Sequence, residues 1–216
     1  MSSSLTKTSS IVRKVWMSIT GLFLVTFLIV HLAVNLLTLS SNPDLFNAAS
    51  HFMATNPLIY VMQYVLALGF VVHIAYGIVI TLQNWRARPQ KYAYNRPGEN
   101  SSFTSRNMIY TGLLVLVFLV LHIRDYFYEL KFGDLGGYDT DYELVVNLFS
   151  SWLYTLVYVV AFVMLALHLD HGFQSAFQSL GASHKKYTPT IKLLGKLYSI
   201  LVPGGFALIA IYHFLF

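Results

Sequence analysis

Four histidines lie within long apolar stretches and are the residues of this sequence best suited to chemistry: His31, His73, His122 and His168. A histidine inside an apolar helix is costly to place and tends to mark a functional site. His31 and His122 each end a copy of one pattern, in which a Thr-Gly pair precedes the histidine by about ten residues. The two copies, 20–31 and 111–122, are 91 residues apart. Their matched positions predict a paired site.

A second pattern, His-x-x-x-Gly, joins His73 to Gly77 and His168 to Gly172. A glycine four residues after a histidine lies on the same helix face. The missing side chain would let a flat macrocycle approach the backbone there, and Gly69 could act in the same way before His73. The alternative is that these glycines simply permit close packing of helices, as small residues do in membranes.

The composition is that of an integral membrane protein. Of the 216 residues, 56% are hydrophobic and only 11% are charged, whereas soluble domains have about a quarter charged residues. There is no cysteine, which excludes disulfides and thiolate-held clusters. We predict an all-α membrane protein whose 216 residues form a single transmembrane domain. Its helices cover the five segments long enough to cross about 30 Å of hydrocarbon: 15–40, 57–85, 107–128, 146–176 and 193–216.

The placement of Lys and Arg in short loops predicts the orientation of these spans. Twelve of the fourteen basic residues lie in the N-terminal arm, the second-to-third loop and the fourth-to-fifth connection. They are Lys7, Arg13, Lys14, Arg86, Arg88, Lys91, Arg96, Arg106, Lys185, Lys186, Lys192 and Lys196. The opposite side has Arg124, Lys131 and seven of the nine acids. We therefore expect a cytoplasmic N-terminus and an external C-terminus.

The alternating direction of the spans sorts the four histidines by depth. At about 1.5 Å per residue, His31 and His122 lie roughly 10–14 Å below the outer surface. His73 and His168 lie roughly 24–33 Å below it, in the cytoplasmic half. The first four spans are therefore predicted to form a bundle that holds an outer pair, His31 with His122, and an inner pair, His73 with His168.

Two histidines from facing helices at one depth suit bis-imidazole ligation of haem iron. A zinc or copper site would normally use three or four ligands at one centre, which this layout does not offer. The alternative is four buried histidines that bond to neighbouring helices or relay protons. Two depth-matched pairs inside a two-fold repeat favour two b haems, with the outer iron on His31 and His122 and the inner iron on His73 and His168.

The chain resembles the cytochrome b558-type di-haem membrane anchor of succinate dehydrogenases and fumarate reductases. The resemblance covers 16–216, and its most specific motif is Ile-Val-His31-Leu-Ala-Val-Asn35. Further matches are Phe46-Asn-Ala-Ala-Ser-His51-Phe-Met, His73-x-x-Tyr76-Gly77 and His168-x-x-x-Gly172. The resemblance implies the same four haem ligands, paired first with third and second with fourth.

In this family the anchor carries no catalytic residue for succinate. The resemblance implies that it binds a flavoprotein subunit and an iron–sulfur subunit on the cytoplasmic face of a bacterial membrane. Electrons would pass through both haems to quinone, often menaquinone, at a site that lies partly in this chain. Membrane lipid is the other expected partner, and no nucleic acid is expected. The alternatives are a di-haem cytochrome b anchor of a hydrogenase or formate dehydrogenase, or a transporter with buried histidines.

A smaller set of residues is predicted to bind the polar parts of these ligands. Haem propionates need cations or hydrogen-bond donors near the membrane surfaces. We predict that Ser18 and Arg106 serve the inner haem and Arg124 the outer one, although an arginine at the end of a span can also extend to the headgroups. His51 and Asn35 are predicted to contact quinone at the outer interface, against the alternative of a structural role.

Overall fold

A computed structural model describes residues 9–87, 99 and 102–216. The long and medium helices are α1 (Ser10–Asn35), α2 (Asp44–Thr55), α3 (Pro57–Arg86), α4 (Met108–His122), α5 (Asp141–Asn147), α6 (Trp152–Ser179) and α7 (Thr188–Leu215). The described residues form no strand. Of the predicted cytoplasmic cations, Lys7, Arg88, Lys91 and Arg96 lie outside the described residues.

Five helical segments are long and apolar enough to cross a membrane, which confirms the predicted all-α membrane fold. They are Ser10–Leu39, Pro57–Arg86, Met108–Lys131, Trp152–Ser179 and Thr188–Leu215. The first and third continue beyond the α-helix proper, through a 3-10 turn at Leu36–Leu39 and a π-helical segment at Ile123–Tyr128. π-Helical turns are rare and are frequent at functional sites.

The fourth span begins at Trp152, whereas the sequence predicted a start at 146. Residues 141–147 form the separate helix α5, and a 3-10 turn at Leu148–Ser150 follows it. The hydroxyl of Thr155 donates to the carbonyl of Phe149 at 2.9 Å and closes this turn. The average hydrophobicity of the span does not reveal the break, because the few polar residues there, Asn147, Ser150 and Ser151, lie among apolar ones.

Two helix starts follow from local capping. The amide oxygen of Asn56 accepts hydrogen bonds from the backbone N–H groups of Leu58 and Ile59, at 2.9 and 3.3 Å, and so caps α3. Pro57 occupies the first turn, where its missing N–H costs nothing. At α1, Ser9 accepts from the N–H of Val12 in the same way.

The first four spans surround a common axis. Helix α1 packs against α3 and α6, and α4 packs against α6 and touches α3. Helices α1 and α4 therefore lie diagonally opposite each other across the bundle, and so do α3 and α6. Helix α7 lies outside the four, against α6 and α1.

Helices α2 and α5 lie together at one end of the bundle, which we call the α2 end. The hydroxyl of Ser50 donates to the carboxylate of Asp141, and the amide oxygen of Asn47 accepts from the N–H of Tyr142 at 2.9 Å. Beneath them is a core of buried residues from α2, α5, α6 and α7, with Tyr158 only 2% exposed. The opposite end, where α1 and α4 begin and α3 and α6 end, we call the loop end.

We predict that Gly205→Val destabilises the protein more than Gly204→Val does. A Cβ at Gly205 would lie 3.0 Å from both Cδ atoms of Leu32 in α1, whereas a Cβ at Gly204 would meet no atom within 4 Å. Overpacking of this kind costs about 1–3 kcal/mol. Thermal unfolding of the two variants in detergent measures the difference, and equal midpoints would contradict the contact between α7 and α1.

Candidate ligand pairs in the helical bundle

The structure brings the four intramembrane histidines together in two pairs. His31 on α1 and His122 on α4 form the first pair, with ring centroids 5.7 Å apart and ring planes at 85°. His73 on α3 and His168 on α6 form the second pair, at 6.3 Å and 73°. Each pair joins diagonal helices, so both pairs lie across the interior of the bundle. The first pair is the one nearer the α2 end.

The imidazoles of the second pair lie against glycines of the neighbouring helices. A Cβ at Gly21 of α1 would lie 3.3 Å from Cε1 of His73, and a Cβ at Gly112 of α4 would lie 3.2 Å from Cε1 of His168. Both distances are shorter than an ordinary van der Waals contact. The Thr-Gly pairs that mark the sequence repeat therefore make room for the histidines of the returning helices.

The glycines of the His-x-x-x-Gly pattern contact methionines. A Cβ at Gly77 would lie 3.5 Å from Cε of Met17, and one at Gly172 would lie 3.4 Å from Cε of Met108. Gly69 similarly faces the ring of Phe23. These three glycines therefore lie in contacts between helices, which fits the packing role raised for them, and clearance for a macrocycle stays a prediction.

Sequence reasoning missed the two methionines, although the repeat contains them. Met17 and Met108 each precede the threonine by three residues, so the full repeated pattern is Met-x-x-Thr-Gly. The glycine of this pattern contacts a histidine of the neighbouring helix, and the methionine contacts a glycine of the His-x-x-x-Gly pattern. The α1–α3 and α4–α6 pairs therefore share these glycine and methionine contacts, although a threonine hydroxyl lies beside Nδ1 of His73 and Nδ1 of His168 has no such partner.

The hydroxyl of Thr20 lies beside one ring nitrogen of His73. It is 2.8 Å from the carbonyl of Trp16, to which it donates, and 3.5 Å from Nδ1 of His73. Because a hydroxyl has one proton, this arrangement favours the tautomer in which Nδ1–H of His73 donates to the Thr20 oxygen. The second ring nitrogen, Nε2, then carries the lone pair that a metal requires.

Aromatic rings and one amide surround the first pair. Phe27 stacks on the His31 ring with centroids 5.2 Å apart, and Phe206 of α7 lies 5.5 Å away. The amide nitrogen of Asn35 donates to the carbonyl of His31 at 2.8 Å and lies 3.5 Å from its Nδ1. Tyr126 lies 5.3 Å from the His122 ring. Asn35, predicted to contact quinone, is thus placed beside a candidate iron ligand.

Two of the imidazoles have unpaired polar atoms. Among the described residues, Nδ1 of His122 and Nδ1 of His168 are buried and have no hydrogen-bond partner. An unpaired buried polar group costs about 1–3 kcal/mol, and such a group in a native structure requires an explanation. The described residues also contain no cluster of three or more His, Cys, Asp or Glu side chains able to hold a bare metal ion. Among these residues, each pair thus offers two candidate ligands.

The residues predicted for propionates lie toward the two ends of the bundle. Ser18 is buried near the loop end of α1, where its hydroxyl donates to the carbonyl of Lys14 at 2.8 Å. Arg106 lies in the exposed helical turn Phe103–Arg106 before α4. Both are at the end nearer the second pair, as the inner-haem prediction requires, and their binding role stays a prediction.

Arg124 and His51 lie at the α2 end. The Arg124 side chain is 60% exposed and pairs with the carboxylate of Asp125, and its Nη2 also donates to the hydroxyl of Tyr154 at 3.1 Å. His51 is exposed on α2. The structure therefore places both near the first pair's end of the bundle, while their contacts with haem or quinone stay predictions.

Comparison with known proteins supports the resemblance seen in the motifs. The chain is similar to the succinate dehydrogenase cytochrome b558 subunit of Bacillus subtilis strain 168, with 27% identity over 150 residues that cover 69% of each chain. No family model and no solved structure matches it. The predicted resemblance to a cytochrome b558-type anchor is confirmed. With its five spans, the chain is a multi-pass protein of the bacterial inner membrane, as predicted.

We predict that Gly21→Ala or Gly112→Ala removes about half of the haem bound by the chain, because the new methyl group displaces His73 or His168 from the second pair. Pyridine haemochrome assay of the purified protein measures the haem per chain. Gly204→Ala is the matched control, since a Cβ there meets no atom within 4 Å. A full haem content in both test variants would show that these glycines do not position the ligands.

Proposed function

We propose that this chain is the di-haem cytochrome b anchor of a succinate dehydrogenase or fumarate reductase, and that it conducts electrons between an iron–sulfur subunit and membrane quinone. The observation that carries the proposal is the pair of facing imidazoles at each of two levels of one membrane bundle. The name of the curated relative supports the succinate dehydrogenase assignment and a b-type haem.

The two pairs fit b haem by distance. Bonds between a metal and an imidazole nitrogen are about 2 Å long, so two imidazoles on opposite sides of one iron have centroids about 6 Å apart. The observed separations, 5.7 and 6.3 Å, lie on either side of this value. Haem iron with two histidine ligands supplies reversible one-electron chemistry. We propose His31 and His122 as ligands of one haem and His73 and His168 as ligands of the other.

The protein's own contribution is to hold these imidazoles ready to bind. Gly21 and Gly112 let the second pair lie against the backbone, and the Thr20 hydroxyl beside Nδ1 of His73 favours the tautomer that leaves Nε2 free. Phe27 and Phe206 surround His31 with apolar surface, which keeps water away. A preorganised, dry ligand set is what a fixed redox centre needs, because the burial and ligation of the iron tune its potential.

The charge distribution supports an orientation with the loop end in the cytoplasm. In this orientation the second pair is the inner haem site, near the iron–sulfur and flavoprotein subunits, and the first pair is the outer one. Ser18 and Arg106 then lie at the inner haem's end of the bundle and Arg124 at the outer haem's end. Quinone would react at the α2 end, where His51 and Asn35 lie.

We predict that histidine variants separate the two haems. His73→Ala or His168→Ala should remove chiefly one haem, and His31→Ala or His122→Ala the other, because a haem that loses an axial ligand is no longer held from both sides. Reduced-minus-oxidised spectra and redox titration of purified variants distinguish the two centres. Equal loss of both haems from all four variants, with the protein still folded, would contradict the pairing.

We predict that the tagged chain copurifies with a flavoprotein and an iron–sulfur subunit, and that these preparations oxidise succinate with a soluble electron acceptor. Mass spectrometry of the purified complex identifies the subunits. Recovery of hydrogenase or formate dehydrogenase subunits would instead support the alternative di-haem anchor. A purified chain without b-haem absorbance would contradict both and favour a transporter.

A further inference from the structure

Helix α7 lies outside the four helices that hold the histidine pairs, yet it contacts the chain at His31 and again two helical turns later. The ring of Phe206 lies 5.5 Å from the His31 ring. Toward the α2 end, Nε2 of His213 lies 3.1 Å from the hydroxyl of Thr38. A histidine within a membrane span is costly to place and usually functional, and the haem-ligand pairs leave His213 without a role.

Thr38 connects His213 to the end of α1. It lies in the 3-10 turn Leu36–Leu39 that directly follows α1, and it is only 1% exposed. Its hydroxyl lies 2.7 Å from the carbonyl of Asn35, to which it donates. Because a hydroxyl has one proton, this arrangement favours the tautomer in which Nε2–H of His213 donates to the Thr38 oxygen. The imidazole of α7 thus supplies the second hydrogen bond of a fully buried hydroxyl.

The series of polar contacts continues from Asn35 to His31. The amide nitrogen of Asn35 donates to the carbonyl of His31 at 2.8 Å and lies 3.5 Å from Nδ1 of the same residue. His213, Thr38 and Asn35 therefore form a row of neighbouring polar groups that runs from α7 to a proposed iron ligand. Groups that lie behind a metal-ligating histidine orient its ring and tune the metal.

The second copy of the sequence repeat lacks these polar groups. Ninety-one residues after Asn35 and Thr38, the sequence has Tyr126 and Glu129. The ring of Tyr126 lies 5.3 Å from that of His122, whose Nδ1 has no hydrogen-bond partner in the described part of the chain. The repeat therefore does not account for Asn35 and Thr38, whereas the contact with α7 does. The polar link to α7 belongs to the His31 side of the first pair.

We propose that His213 and Thr38 are positioning residues for the first histidine pair, and that they act on His31 through Asn35. Their hydrogen bonds hold the turn after α1 in place. This keeps the Asn35 amide beside His31 and keeps the His31 imidazole at one angle to that of His122. The inference rests on the proposed function, because it concerns the haem that this pair would bind, called here the first-pair haem. It gives the fifth span a specific role, which is to fix one axial ligand.

Electron paramagnetic resonance and redox titration of the purified complex test the proposal. The spectrum of a low-spin ferric haem depends on the angle between its axial imidazoles, and its potential depends on their hydrogen bonds and burial. We expect His213→Phe and Thr38→Val, which remove the hydrogen bond and keep the shape of the side chain, to shift the resonance and the potential of the first-pair haem. The second-pair haem should not change. The His31→Ala and His122→Ala variants identify which signals belong to the first-pair haem.

The expected size of the effect follows from other metal sites. Loss of a group behind a ligating histidine typically changes metal affinity or activity about 10–100-fold. A tenfold change that falls on one oxidation state shifts a one-electron potential by about 59 mV. Hydrogen–deuterium exchange of the Leu36–Leu39 amides reports the turn independently of haem, and it should be faster in both test variants.

Conservative variants separate the hydrogen bond from general packing. His213→Gln and Thr38→Ser keep a donor and a hydroxyl, so both should keep the wild-type resonance and potential. Tyr212→Phe is the matched control, because it removes a hydroxyl from the same turn of α7 and keeps the ring beside His213. It should also match the wild type.

An unchanged resonance and potential in His213→Phe and Thr38→Val, with both haems bound, would overturn the inference and leave the proposed function intact. Equal shifts of both haems would also overturn it, because they would indicate loosening of the whole bundle. A shift in His213→Gln as large as that in His213→Phe would show that the hydrogen bond is not the cause. A wild-type complex without haem would contradict the proposed function itself.

Discussion

The close approach of an imidazole to a neighbouring helix backbone is the contact on which the bundle's symmetry depends. His73 and His168 lie where any side chain larger than hydrogen at Gly21 or Gly112 would press on the ring. This contact fixes the distance between α1 and α3 and between α4 and α6. It thereby sets how far the second pair extends across the interior.

The same contact belongs to a larger set that the repeated sequence pattern supplies. Met17 and Met108 lie one helical turn before the glycines and fill the spaces beside Gly77 and Gly172. Threonine, glycine and methionine thus form one surface on α1 and again on α4, and each surface fits the His-x-x-x-Gly face of the next long helix. The histidines that end the repeat, His31 and His122, are held separately, by aromatic rings and by Asn35. One motif therefore supports both levels of the bundle.

Much of the architecture could be predicted from the sequence because it depends on hydrophobic length and helical rise. Counting residues along the spans was enough to pair His31 with His122 and His73 with His168. The start of α6 was predicted too early, because it depends on a hydrogen bond from the Thr155 hydroxyl to the Phe149 carbonyl, which hydrophobic length does not reveal. The partners of Asp125 were also beyond sequence reasoning, since Tyr158 is 33 residues away and Asp125 lies in a π-helical segment, whose side chains do not follow the α-helical period.

The central claim is that one chain holds two b haems, each between two histidines. Quantification of haem and iron in the purified chain, with electron paramagnetic resonance of the oxidised protein, tests it most directly. We expect two b haems per chain, both six-coordinate and low-spin. One haem per chain, or a high-spin centre in undamaged protein, would contradict it.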